Sequence, residues 1–156
     1  MYTLDEALWP LVVVQRSGTT TDQEMERILQ SLSKLIKRRE PYVLVIDFSQ
    51  SRPLTHPQRM MLADHQTQHA DLTRDYCKGF FVVVNSATAR LARAVTSFIR
   101  PAADQHEVVA SLDQALERAA LRFEQAGVHM GAFIARTHAR RLKSGPATGG
   151  ASARHD

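Results

Sequence analysis

The stretch PYVLVIDFSQSRPLTHPQR, residues Pro41 to Arg59, decides the fold class of this chain. Tyr42 to Phe48 is almost continuously apolar, which predicts a buried strand that helices cover on one or both faces. Asp47 lies at the end of this predicted strand, and a polar loop follows it. Thr55, with Pro57 in the first turn, predicts the start of a helix. A buried strand that leads into a helix is the repeating unit of α/β folds.

The flanking segments extend this alternation of strands and helices. Three consecutive valines precede Gly18, and with Tyr2 to Asp5 they predict an antiparallel hairpin. Thr21 and Glu24 have the spacing of a capping box at a helix start. The pattern predicts an α/β fold with a mainly parallel sheet of about five strands and about four helices. The predicted strands are 2–5, 9–16, 42–48, 80–84 and 107–110, and the predicted helices are about 21–39, 57–72, 91–99 and 112–123.

The charge distribution separates the body of the chain from its C-terminal part. Residues 1–135 contain 15 basic and 15 acidic side chains, so the net charge of +4 arises from residues 136–156. We therefore expect one domain over residues 1–126, a helical extension over 127–143 and a disordered, glycine-rich tail over 144–156. The balanced charge of the body gives no support for specific nucleic-acid binding.

Cysteine count and hydropathy indicate the compartment. Cys77 is the single cysteine, which excludes an internal disulfide, and we interpret it as a half-buried apolar side chain rather than a reactive thiol. The apolar runs are too short to span a membrane, and the first ten residues lack the basic start of a signal peptide. These features predict a cytoplasmic protein without a membrane span.

Several segments together resemble a known family. They are VVVQRSG, a TxxE-capped helix, LVIDFS, FFVVVNSATAR and EVVASLDQALERA, and they cover the chain from Tyr2 to Gln125. In this order they resemble the SpoIIAA-like branch of the STAS domain superfamily, which includes the anti-sigma-factor antagonists. The resemblance implies a STAS-like fold and a non-enzymatic regulatory module that acts by protein–protein interaction. We expect no cofactor.

The chain departs from the family's pattern at the start of the second predicted helix. In the antagonists, a phosphorylated serine lies there in an Asp-Ser-Ser/Thr-Gly motif. This chain has FSQSRPLTHPQ after Asp47, without such a motif, and Thr55 is the nearest position. Thr55 is therefore the candidate phosphorylation site, and the resemblance implies a switch that has been lost or rebuilt around Asp47, Thr55 and Arg59.

Ligands of parallel α/β sheets bind beyond the carboxyl ends of the strands. This rule places a candidate partner- or ligand-binding site after the two central strands, where hydroxyl, amide, carboxylate and guanidinium groups follow. Capping of helix N-termini is the more common role of such hydroxyl groups when each residue is taken alone. The candidate residues are Asp47, Ser49, Ser51, Thr55, Arg59, Asn85, Ser86 and Arg90.

Three other interpretations stay open from the sequence. The chain could bind a small ligand, such as a lipid or a nucleotide, between its helices and strand ends. His56, His65 and His69 could serve a metal-dependent enzyme, but no HExxH motif is present, so we expect no metal site. The edge hairpin could also pair with a second copy to form a homodimer. A solvated face is the simplest reading of the basic side chains Arg90, Arg93 and Arg100.

Overall fold

A five-stranded sheet forms the centre of the computed structural model, which describes residues 1–85 and 106–145. The strand order is β1-β2-β3-β4-β5, so strands that follow one another in sequence are neighbours in the sheet. The first pair is antiparallel and the other three pairs are parallel, as the sequence pattern predicted. The strands are β1 (Tyr2–Leu4), β2 (Leu11–Gly18), β3 (Tyr42–Ser51), β4 (Cys77–Val83) and β5 (His106–Val109).

Helices cover both faces of the sheet within the described residues. They are α1 (Asp22–Ile36), α2 (His56–Gln68), α3 (Ala70–Tyr76), α4 (Leu112–Gln125) and α5 (His129–Lys143), and a 3-10 turn lies at Glu6–Leu8. The predicted helix at 91–99, with Arg93 and Arg100, lies outside the described residues, as do residues 146–156 of the predicted tail. No helix in the described part of the chain is long and apolar enough to cross a membrane.

Alternating side chains of the strands divide the core into two layers. Val12 and Val14 of β2 contact the apolar side of α1 and α2, together with Phe48 of β3. Leu11 and Val13 point the other way, into a layer that α4 and α5 close. The continuous apolar runs of β2 and β3 follow from this arrangement, because both of their faces are buried.

The third strand is longer than the sequence predicted. We expected a loop after Asp47, but β3 continues to Ser51, since Gln50 and Ser51 pair with Ser17 and Gly18 of β2. The prediction of a loop was wrong because it was made from the polar side chains alone. Backbone pairing at the rim of a sheet does not need apolar residues. Asp47 therefore lies inside a strand rather than at its end.

The helix predicted over 57–72 is two helices. His69 leaves the helical conformation, with φ −110° and ψ 16°, and separates α2 from α3. The carbonyl of His65 accepts the His69 backbone N–H at 3.1 Å and lies 2.9 Å from Nδ1 of the His69 ring. The backbone bond is the ordinary i to i−4 bond of a helix, so the break between α2 and α3 is a local departure of the His69 dihedral angles.

The C-terminal helices pack through small residues. Gly131 of α5 lies directly over Phe123 of α4, and a Cβ atom placed on Gly131 would be 2.5 Å from the Phe123 ring. Gly127, at φ +74°, makes the turn between the two helices. Glycine in the interior of a helix usually weakens it, but at position 131 only glycine permits this close approach of α5 to Phe123.

Candidate functional site

The carboxyl ends of β3 and β4 bring three predicted site residues together. The Asp47 carboxylate is 8% exposed and accepts hydrogen bonds from the Ser49 backbone N–H at 2.9 Å and the Ser49 hydroxyl at 2.6 Å. The Asn85 amide, which follows β4, donates to the Ser49 carbonyl at 2.7 Å. A partly buried carboxylate requires such donors. The Asn85 bond therefore ties the end of β4 to β3, and the Asp47 carboxylate orients the Ser49 that accepts it.

The next three predicted residues shape the turn into α2. The Ser51 hydroxyl is buried and donates to the Phe48 carbonyl at 3.0 Å. The Thr55 hydroxyl accepts the Gln58 N–H at 3.3 Å, and Arg59 donates to the Leu54 carbonyl at 2.8 Å. These bonds fix the backbone of the turn.

The last two predicted site residues, Ser86 and Arg90, lie outside the described part of the chain.

Gln58 is a site residue that sequence reasoning missed. It is 3% exposed, and its amide donates to the Thr20 carbonyl at 2.7 Å and to the Asp22 carboxylate at 3.0 Å. Its side-chain oxygen accepts the Thr55 N–H at 3.2 Å, which completes a capping box. Gln58 therefore joins the start of α2 to the start of α1. The spacing Thr55-x-x-Gln58 was a readable signal, since glutamine serves at this position of the motif.

A stripe of exposed side chains runs along α2 and its N-cap residue. Its side chains recur at helical spacing and are solvent-exposed, and Met60 at their centre is 42% exposed. A single exposed apolar side chain is common on protein surfaces, so Met60 is informative only together with the polar side chains that surround it. We call this stripe the α2 surface, and it consists of Thr55, His56, Met60, Asp64 and Thr67.

Arg16 is a second residue that the sequence analysis missed. It is 5% exposed, its guanidinium lies 5.1 Å from the centre of the Phe48 ring, and two of its nitrogens donate to the Thr20 hydroxyl. Burial lowers the pKa of Arg16 to about 10, although the Glu24 carboxylate acts in the opposite direction. Because Arg16 alternates with Val12 and Val14, the period of the strand already pointed it into the core.

His65 lies on α2 and His69 at its end, and His65 contacts α1. Their rings stack with centroids 4.4 Å apart, and His65 Nε2 lies 3.0 Å from the Ser33 hydroxyl. Burial, and then the neighbouring His69, lower the pKa of His65 to about 4. A histidine with this pKa is a weak general base at neutral pH. The described residues contain no group of three or more His, Cys, Asp or Glu side chains that could hold a metal ion, and His56 lies exposed on the first turn of α2.

Cys77 is buried at the start of β4. Burial raises the pKa of its thiol to about 11, and its sulfur lies 3.2 Å from the Gly79 carbonyl oxygen. A protonated, buried thiol has little nucleophilic reactivity. The expected apolar role agrees with this position, but Cys77 is 3% exposed and so is fully buried rather than half-buried.

A solved structure supplies an external comparison for this arrangement. An anti-sigma factor antagonist from Mycobacterium paratuberculosis has a similar fold, with a TM-score of 0.52 and 20% sequence identity. The match covers 76% of this chain and 92% of that one. No protein-family model matches the chain, and no curated protein matches it.

Proposed function

We propose that this chain, which has the fold of an anti-sigma factor antagonist, is a non-enzymatic regulatory module that binds another protein. The likeness confirms the STAS-like fold that the sequence resemblance implied. Fold alone does not fix function, so the proposal depends on the surface that the fold presents.

The α2 surface is the observation that carries the proposal. Met60 lies at its centre with 42% of its area exposed, between the polar side chains of His56 and Asp64. Exposed methionine adapts its shape to a partner, and a rim of polar side chains around it is typical of protein interfaces. The backbone under this surface is held by Gln58 and Arg59, so binding would cost little ordering of the chain.

The bonding of the predicted site residues favours recognition over catalysis. The Asp47 carboxylate accepts from Ser49, and the Ser51 hydroxyl donates to a backbone carbonyl. A general acid or base must instead reach the proton of a substrate, and a nucleophile must have a base beside it. Ser33 has a histidine neighbour, but the pKa of His65 is too low for that role at neutral pH.

The partner that we propose is a cytoplasmic regulatory protein of the anti-sigma factor type. This class is the one that the name of the similar structure indicates. Thr55 gives a means of control, because it is exposed at the start of α2. A phosphate there would lie at the positive end of the helix dipole and would add about two negative charges to the α2 surface. Mass spectrometry of the protein from native cells tests this modification.

Affinity capture with two methionine variants tests the proposed surface. Met60→Asp places a charge at the centre of the α2 surface, whereas Met130→Asp makes the same change on α5, where the side chain is 66% exposed. Because both side chains are exposed, both variants should fold. We expect the wild type and Met130→Asp to capture the same protein from native lysate, and Met60→Asp to lose at least nine-tenths of it. Equal recovery by both variants would exclude the α2 surface.

A further inference from the structure

The outward side of α5 exposes two large apolar side chains one turn apart. Met130 is 66% exposed and Phe133 is 63% exposed. Arg140 and Arg141 follow Phe133 by seven and eight residues, so they lie on the same side of the helix, and both are exposed. Single exposed apolar side chains are common, but two neighbouring ones beside two cations form an amphipathic patch. We call these four residues the α5 outer face.

The α5 outer face carries positive charge that the neighbouring helix does not neutralise. α5 contains four cationic and no acidic side chains. Arg136 and Lys143 form ion pairs with carboxylates of α4. Arg140 and Arg141 form no ion pair within the part of the chain that the structure describes. The two arginines are therefore available to an external anion.

We propose that the α5 outer face binds the surface of a membrane that contains anionic lipids. Met130 and Phe133 enter the boundary between headgroups and acyl chains, and the two arginines contact the lipid phosphates. The arginines follow Phe133 by about 10 Å along the helix axis, so α5 lies in the plane of the membrane surface. This contact is peripheral and requires no membrane span.

The shape and chemistry of this face favour a lipid surface over other anionic partners. Ala132, Ala135 and Ala139 pack the opposite side of α5 into the core, so the outer face is convex. A convex helix fits a flat, deformable surface without a groove in the partner. The phosphates of a nucleic acid would contact the arginines but would give Met130 and Phe133 no apolar contact. An acidic peptide would likewise satisfy the charges alone.

The α5 outer face is separate from the surface proposed for the protein partner. The helices α1 and α2 cover one face of the sheet, whereas α4 and α5 cover the other. Lipid contact joins no protein to α5, so Met130 remains a control position for protein binding by the α2 surface. Each proposal can fail without the other.

Flotation of the full chain with lipid vesicles tests the proposal. We expect the protein to bind vesicles of phosphatidylglycerol and phosphatidylcholine in equal parts at least tenfold more tightly than vesicles of phosphatidylcholine alone. High salt should weaken this binding, because it screens the attraction between the arginines and the lipid phosphates.

Two pairs of substitutions test the contribution of charge. The double variant Arg140→Gln with Arg141→Gln should bind the anionic vesicles at least tenfold more weakly than the wild type. The matched control, Arg27→Gln with Lys34→Gln, removes the same charge from exposed positions of α1 and should bind like the wild type. All four positions are exposed, so both double variants should fold.

A second comparison tests the apolar contribution. Phe133→Ser should bind the anionic vesicles at least fivefold more weakly, because the serine side chain gains little from leaving water. Met60→Ser, the control on α2, should bind like the wild type.

The proposal fails if the wild type does not bind anionic vesicles or binds neutral ones equally well. Undiminished binding by the double arginine variant or by Phe133→Ser would also overturn it. Tighter binding of single-stranded DNA or of polyglutamate than of anionic vesicles, at the same salt, would overturn it in favour of a nucleic acid or an acidic protein. If a variant fails to fold, the comparison of vesicles, DNA and polyglutamate on the wild type decides the question alone.

Discussion

Replacement of Gln58 by leucine should remove the hydrogen bonds that join the start of α2 to the start of α1, and so destabilise the fold. Gln58→Leu keeps most of the side-chain volume but removes three hydrogen bonds, to the Thr20 carbonyl, the Asp22 carboxylate and the Thr55 N–H. Each such bond contributes about 1 kcal/mol to the free energy of unfolding. Thr55 and Asp22 are exposed and regain water, but Thr20 is buried, so its carbonyl adds a penalty of about 1 kcal/mol.

The buried leucine offsets about 1 kcal/mol of this loss. The net destabilisation is therefore about 3 kcal/mol, which corresponds to a fall in Tm of roughly 6 to 12 °C for a chain of this size. Urea denaturation followed by circular dichroism measures the free energy of unfolding. The control is Gln68→Leu, the same change at an exposed position of the same helix, which should stay within about 0.5 kcal/mol of the wild type. A Gln58→Leu protein as stable as this control would refute the reasoning.

Three further predictions concern stability, and each is measured by chemical or thermal denaturation. Thr55→Ala removes the N-cap of α2 and should lower the free energy of unfolding by about 1 kcal/mol. An unchanged Tm would show that the cap does not contribute to stability. Gly131→Ala forces a methyl group against the Phe123 ring, and this overpacking should cost about 2 to 3 kcal/mol. The cost should outweigh the gain of about 1 kcal/mol in helix propensity. A variant more stable than the wild type would contradict this packing. The pKa of His65 is about 4 in the folded protein and 6.5 in the unfolded chain. Between pH 4 and pH 6.5, His65 is therefore protonated more in the unfolded chain than in the folded protein. Stability should therefore fall as the pH drops from 6.5 to 4, and the part due to His65 should be constant above this window and again, at its full loss, below it. The fall should be about 1 to 2 kcal/mol once partial exposure to solvent is taken into account. His65→Gln should lose this part of the pH dependence, while His56→Gln should keep it.

The strands were predictable because burial on both faces leaves a strong local signal. The apolar runs in β2, β3 and β4 identified the sheet, and the spacing of Thr21 and Glu24 identified the start of α1. The end of β3 was not predictable in this way. Gln50 and Ser51 form strand only because β2 lies beside them, and that neighbour is a tertiary contact.

The candidate site was only partly predictable for a similar reason. The rule for parallel sheets placed Asp47, Ser49 and Asn85 at one edge, and the structure brings them together. Gln58 and Arg16 were missed, although a capping-box spacing and a strand period of two pointed to them. Their roles depend on what lies across the core, which sequence spacing alone does not show.

Site-specific photocrosslinking in native cells tests the central claim most directly. A photoreactive phenylalanine analogue at position 60 lies at the centre of the α2 surface, and the same analogue at position 130 lies on α5 as the control. We expect light to join position 60 to one protein, identified by mass spectrometry, while position 130 gives no more product than an unirradiated sample. A protein joined to position 130 and not to position 60, or no protein joined to either, would contradict the assignment of the α2 surface as the partner-binding surface.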